Sequence, residues 1–157
     1  MSPTMNFRLA QPEDYSTIET LIIDSFEPIT AYKTIETQMG ELNGHGWHGR
    51  WQNRVRNAFK SQIVLLGEDE GEVVAYASGT IDEAEKLALL DILAVDRNRH
   101  GKGIGRAMLR AFLDHVKQAG AEVVHLECLS NNERGNSLYE SEGFSDIYHT
   151  IQWYKKL

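Results

Sequence analysis

A chain of 157 residues with 41 % hydrophobic and 25 % charged residues has the length and composition of one folded domain, and it needs no disulfide or metal to complete a core. Its single cysteine, Cys128, excludes an intrachain disulfide and a cysteine-based zinc site. A formal net charge of −7 argues against a nucleic-acid backbone as the main partner, because such binders carry a basic face.

Phe7 to Ala10 reads as a first strand. Pro12 suits the first turn of a helix, and Tyr15, Ile18, Leu21, Ile22 and Ser25 recur at helical spacing up to Phe26. Glu27-Pro28 ends that helix. The stretch from Ile29 to Asn57 is the least regular and is broken at Leu42 to Gly46. Trp47, Trp51, Val55, Ala58 and Phe59 then form the stripe of an amphipathic helix, with the two tryptophans read as core. Gln62 to Leu66 and Val73 to Thr80 are two strands of a hairpin around the polar turn Glu68-Asp69-Glu70-Gly71.

Lys86 to Val95 is a nearly continuous apolar strand, of a kind usually buried on both faces. Asp91 is its one interior charge and shares a face with Leu89 and Leu93 by alternation. The glycine-rich turn His100 to Gly105 leads at once into a helix with Ile104, Met108, Phe112 and Val116 on one face, stopped by Gly120. Val123 to Leu129 is a further strand. Asn131-Asn132 caps a helix carrying Gly135, Leu138 and Tyr139 on one side, and Gly143 ends it. Phe144 to Leu157 suits one long strand or two very short ones. The order β-α-α-β-β-β-α-β-α-β describes a mixed sheet with helices on its faces, an α/β fold.

No linker or repeat divides the chain, so residues 1–157 are expected to form one domain. The first six residues have no basic or apolar leader pattern, and no apolar run approaches a membrane span. With the lone thiol, this predicts a cytoplasmic protein with no membrane partner. His45 and His48 have no acidic or cysteine partner at ligand spacing, so no metal is expected.

The glycine-rich turn carries the chemical content. Glycines let backbone approach a ligand and adopt positive φ. The first N–H groups of a helix point outward without intrahelical partners, and with the helix dipole they favour a phosphate. Lys102 and Arg106 add positive charge there. The turn is not a P-loop, and its spacing does not fit a dinucleotide fingerprint.

Leu93-Ala94-Val95 followed by His100-Gly101-Lys102-Gly103-Ile104-Gly105-Arg106-Ala107 resembles the acetyl-CoA signature of the GNAT N-acetyltransferases, [Arg/Gln]-x-x-Gly-x-[Gly/Ala]. Asn132 to Tyr139 and Gly143-Phe144 resemble the family's later Asn-x-x-Ala-x-x-Leu-Tyr…Gly-Phe segment. Phe7 to Ala10 with Asp14, and Val73 to Ala77, resemble its first and third strands. The resemblance covers three quarters of the chain. It implies a mixed, mostly antiparallel sheet flanked by about four helices, with acetyl-CoA as co-substrate. Two departures stand out: His100 replaces the usual Arg or Gln, and Gly135 replaces the usual Ala.

The resemblance also implies roles. Pantetheine would lie between the strands ending near Val95 and Leu129 and pair with the backbone of Leu93 and Val95. The pyrophosphate would sit over Gly101 to Arg106, with His100 and Asn132 beside it. A backbone N–H near Leu93 or Ala94 would polarise the acetyl carbonyl. Tyr139 would return a proton to the leaving thiolate. A protonated amine cannot attack, so a base is useful, and Glu127 and Asp91 are both candidates. Glu127 resembles the catalytic glutamate of ribosomal-protein N-terminal acetyltransferases. Asp91 reads equally as a structural ion pair. Phe26, Glu27 and Trp47, with His45, would form the acceptor wall.

The resulting expectation is acetyl transfer to a primary amine on a small cationic or amino-acid-like metabolite, by direct attack in a ternary complex. Dimers are common in the family. Transfer to a peptide or protein amine, a non-catalytic CoA sensor, and a phosphate or nucleotide binder are the other readings.

Overall fold

The computed structural model describes residues 4–157; the leader reading falls partly on residues 1–3, outside the described part. A five-stranded sheet runs in the order β1 (Asn6–Leu9), β2 (Ile63–Asp69), β3 (Glu72–Asp82), β4 (Leu87–Val95), β5 (Val123–His125). Neighbours pair antiparallel except β4 and β5, which are parallel. The mixed, mostly antiparallel sheet is as expected. Glu70 and Gly71, both at positive φ, make the two-residue turn of the β2–β3 hairpin.

Three helices, α1 (Tyr15–Phe26), α2 (Ala31–Met39) and α3 (Trp47–Ser61), precede β2. Ile18, Ile22, Trp51 and Val55 bury their stripes against Leu66, Tyr76, Ile92 and Ala94 of the sheet. The opposite face carries α4 (Ile104–Gln118), whose Ile104, Met108, Leu109, Phe112 and Val116 pack on Leu65, Ala75, Ala77 and Leu90. The last helix, α5 (Glu133–Ser141), adds Leu138 and Tyr139 to this second cluster. Of the two tryptophans read as core, Trp51 is only 3 % exposed and gives its indole N–H to the Thr30 hydroxyl at 2.8 Å, while Trp47 is partly buried against the same cluster.

Three expectations are corrected. The irregular stretch contains a fifth helix, α2, whose start is capped by Thr30 accepting the Tyr32 N–H. The strand from Val123 ends at His125 rather than Leu129, because β4 turns away from it. No strand follows Phe144. Phe144 packs edge-on against Tyr139, and beyond it Ile147, Tyr148, Ile151 and Trp153 are exposed. Neither a ladder partner nor burial holds that segment in a strand. Among the described residues, no helix is long and apolar enough to cross a membrane.

Burial pushes the Tyr76 phenol up to about 12. An unfolded tyrosine ionises near pH 10, so above that pH the unfolded chain holds fewer protons than the folded one. The stability contributed by the neutral phenol is complete below pH 10 and is lost as pH rises through about 12. Thermal melts on the alkaline side are expected to show a steady fall in Tm, and Tyr76→Phe should flatten it.

Candidate functional site

The site begins with a break in the sheet. β4 and β5 pair only at Leu87–Val123, Ala88–Val124 and Leu89–His125. On the other edge of β4, Ser78 faces Ile92 while Gly79 faces Leu90, which leaves Asp91 as the unpaired residue of a β-bulge. A bulge bends its strand and re-aims the residues beyond it. Hence Leu90 packs on the α4 side while Ile92 and Ala94 pack on the α1–α3 side, and Leu93 and Val95 turn toward α4. The expected shared face of Asp91 and Leu93 is thereby corrected. From Ile92 to Val95, β4 is paired on the β3 side alone. Its other edge, toward residues 126–129, is left unpaired as a cleft in the hydrogen-bonded sheet.

The glycine-rich turn lies at the upper end of β4. The Asp96 N–H donates to the Val74 carbonyl at 2.8 Å, and Asp96 accepts the Asn98 N–H at 3.0 Å, so the chain turns tightly. Gly103 caps α4 at φ +77, a left-handed conformation that side chains disfavour. At Gly105 an added Cβ would rest in ordinary contact, 3.5 Å from Val95 and 3.8 Å from Leu138. This accounts for a motif that demands glycine at the first of these positions and accepts alanine at the second.

The charges around the turn differ from expectation in one respect. Arg106 is held by Glu142 and by the Ser141 hydroxyl, at 2.9 Å from the latter. Arg110 shares that carboxylate and, with Arg106, holds it below the usual carboxylate range. Arg106 thus shares one carboxylate with Arg110, and the three side chains together stay positive. Lys102 is exposed and, among the described residues, has no ion-pair partner. Burial and the nearby Arg134 push the His100 imidazole down from its ordinary value. At neutral pH it offers N–H donation in place of the charge an arginine would supply.

The floor of the cleft comes from the segment before α5 and from that helix. Asn132 caps α5 by accepting the Gly135 N–H at 3.0 Å. A Cβ on Gly135 would sit 2.7 Å from the Asn132 amide nitrogen and 3.1 Å from the Cys128 sulfur. The glycine found in place of alanine therefore makes room for the cap and the thiol. Tyr139 is partly buried, packs with the α4 cluster, and stands 5.7 Å from the Phe144 ring. Burial, then the adjacent Cys128, pushes its phenol well above the ordinary value, so it stays protonated. Burial likewise raises the Cys128 thiol, consistent with a small apolar residue rather than a nucleophile. Glu127 is exposed between the inward Leu126 and Cys128.

Asp91 faces the α3 side. Arg54 donates to it at 3.0 Å and the Gln62 amide at 2.9 Å, the paired outcome foreseen for a strand-interior carboxylate. It lines a polar cavity of about 300 Å³ with Tyr32, Arg50, Arg54 and Gln62. A second cavity, about 290 Å³, is lined by Ile29 to Ala31, Thr34 and Leu129 to Asn131. Phe26, Glu27 and Trp47 line neither cavity. Phe26 stacks on Trp51 at 4.7 Å, Glu27 lies 3.6 Å from both Lys33 and Arg97, and the Trp47 N–H donates to Glu36 at 2.9 Å. No group of three or more His, Cys, Asp or Glu with metal-site geometry occurs among the described residues.

A family model described as acetyltransferase (GNAT) family matches residues 29–144, spanning the bulge, the glycine-rich turn and α5. The chain belongs to the GNAT acetyltransferase family. It is 43 % identical over 146 residues to a mycothiol acetyltransferase of Propionibacterium freudenreichii, covering 87 % of this chain but 47 % of that protein. The chain thus spans about half the length of that relative. It is 33 % identical over 78 residues to the [ribosomal protein bS18]-alanine N-acetyltransferase of Escherichia coli, covering 48 % of this chain and 50 % of that one. The fold matches the PaiA N-acetyltransferase of Thermoplasma acidophilum solved with coenzyme A, with a TM-score of 0.67, 18 % identity, and 90 % of each chain covered. Acetyl-CoA is the co-substrate of the GNAT family.

The polar lining of the Asp91 cavity, Tyr32, Arg50, Arg54 and Gln62, was not singled out from the sequence. Arg50 and Arg54 are spaced i, i+4 on the α3 face beside the apolar stripe, a pattern that reads as an ordinary solvated face until β4 is packed against it. Thr30, at the second cavity, carried a legible signal as a capping residue after Pro28.

Proposed function

We propose that the chain transfers an acetyl group from acetyl-CoA to a primary amine of a small cationic or amino-acid-like molecule, as a cytoplasmic enzyme formed by residues 1–157 as one domain. The observation that carries this reading is the cleft opened by the Asp91 bulge, with the left-handed Gly103 turn above it and a neutral Tyr139 on its floor. The residues present fit the co-substrate. The free β4 edge at Leu93 and Val95 offers hydrogen bonds to the pantetheine amides. Gly101 to Arg106 present the outward N–H groups of α4 to the pyrophosphate, with Lys102 adding charge and His100 and Asn132 flanking.

Bound acetyl-CoA supplies an activated thioester. The backbone near Leu93 and Ala94 polarises its carbonyl. Tyr139 donates its phenolic proton to the departing sulfur. The incoming amine loses its proton to Asp91 or Glu127, directly or through water. Glu27, Phe26 and Trp47 brace the wall of α1, α2 and α3 behind the acceptor rather than meeting it. The names of the two relatives support two acceptor types, a small metabolite or the N-terminal alanine of a protein. The charged lining of the Asp91 cavity, with a volume of about 300 Å³, favours the small molecule.

Thiol release from acetyl-CoA is the test, over a panel of amino acids, polyamines, aminoglycosides and N-terminal peptides. Release that depends on one class of small amine is expected, together with a rise in Tm on adding CoA. Stabilisation by CoA with no release from any amine would favour the sensor reading. Stabilisation by ATP without CoA would overturn the co-substrate.

A further inference from the structure

We infer that the cavity between α3 and the β4 bulge binds the α-amino and α-carboxylate groups of a free amino acid, so that the acceptor amine comes from this class; the inference rests on the acetyl-transfer reading above. The cavity is about 300 Å³, a volume suited to a small ligand. It holds two cations, Arg50 and Arg54, and one carboxylate, Asp91. Arg54 is committed to Asp91, with Nη2 at 3.0 Å from Oδ1, and its Nη1 reaches the Tyr32 hydroxyl at 3.5 Å. Among the described residues Arg50 has no ion-pair partner, and it is the second cation of the lining. Its guanidinium stacks over the Tyr32 ring at 4.1 Å, which fixes its plane.

Two buried polar atoms of this lining have no hydrogen-bond partner, and they are of opposite kind. Arg50 Nη1 is an unused donor and Gln62 Oε1 an unused acceptor. Buried polar groups are almost always partnered, so each points to an occupant. The Gln62 amide is oriented by its other end, Nε2, donating to Asp91 at 2.9 Å. Gln62 Oε1 and the Asp91 carboxylate therefore accept from an amine at the bulge. Arg50 precedes Arg54 by one helical turn, roughly 6 Å along α3, and donates to an anion there. An unused donor and an unused acceptor on one lining that carries two cations and one carboxylate complement an α-amino acid better than a polyamine. The amine end sits at Asp91, two residues below the Leu93–Ala94 backbone proposed to hold the acetyl carbonyl.

Calorimetric titration of the CoA-saturated protein with the common amino acids, each against its own α-carboxamide, tests this. At least one amino acid is expected to bind. Its carboxamide should bind about tenfold more weakly, the worth of one charge-assisted bond. Arg50→Met should bring the acid to the level of the carboxamide while CoA still binds, which confirms that the variant is folded. Equal binding of acid and carboxamide, indifference to Arg50→Met, or no binding of any amino acid would each overturn the inference. Failure of the unsubstituted protein to bind CoA would overturn the underlying reading instead.

Discussion

Replacing Tyr139 with phenylalanine is expected to lower kcat by about 10²–10⁴-fold, the range for losing a positioned general acid, and to leave CoA affinity unchanged. The phenol is raised above its ordinary value by burial, so it carries a proton at neutral pH. The leaving thiolate must be protonated or held as an anion in an apolar pocket, and the Tyr139 phenol lies beside Cys128 on the cleft floor. The ring itself packs against Phe144 and the α4 cluster, and phenylalanine preserves that contact. Single-turnover kinetics with calorimetry of CoA binding separates the two quantities. A variant with unaltered kcat would remove Tyr139 from the chemistry and leave it as a core aromatic. A variant that lost CoA binding would make it a packing residue of the cofactor cleft.

The second large effect is structural. Gly79→Ala should destabilise the fold by at least about 3 kcal/mol, the upper range for overpacking a tight core. For a chain of this size that is roughly a 6–12 °C fall in Tm. Its Cβ would run into the Leu89 carbonyl and come within 2.8 Å of the Phe112 ring. Backbone cannot yield as the end of a flexible side chain can. Gly79 also faces Leu90 at the point where β4 steps out of register, so the step that leaves Asp91 unpaired depends on this close approach. Thermal unfolding gives the first readout. The second is acetyl transfer measured well below the new Tm. If the bulge relaxes, activity should fall even where the variant remains folded. A Tm within 2–3 °C of the parent, less than about 1 kcal/mol, would mean that β4 can shift without cost.

The Gly79 expectation turns on the bulge, and no residue pattern points to it directly. The run from Lys86 to Val95 reads as a plain apolar strand. Strict alternation then places Asp91, Leu89 and Leu93 on one face. One extra residue inverts every later side chain, because the period of a strand is two. The inversion sends Leu93 and Val95 toward α4 and α5, where Gly105 and Leu138 meet Val95. The parallel partner β5 is lost at the same point. A local pattern cannot announce such a step, since it is set by what Gly79 and Phe112 leave room for across the sheet.

The contribution of the sequence was nevertheless large, and its reach has a physical limit. Glycines at positions of positive φ, the caps at Asn132 and Thr30, and the stripes of α3 and α4 are local requirements of backbone and solvent, so they are written in the order of residues. They point to the α/β class and to the turn at Gly101 to Gly105, while the candidate cofactor residues follow from the resemblance to the GNAT signature. The tertiary structure alone decided which polar side chains share a cavity. Arg50, Arg54 and Gln62 come to Asp91 across 29 to 41 positions of chain. It also decided that Arg106 pairs with Glu142, that Phe26 stacks on Trp51 and that Glu27 lies beside Lys33 and Arg97. Those are contests between distant partners for the same charge or surface, and only packing settles which partner wins.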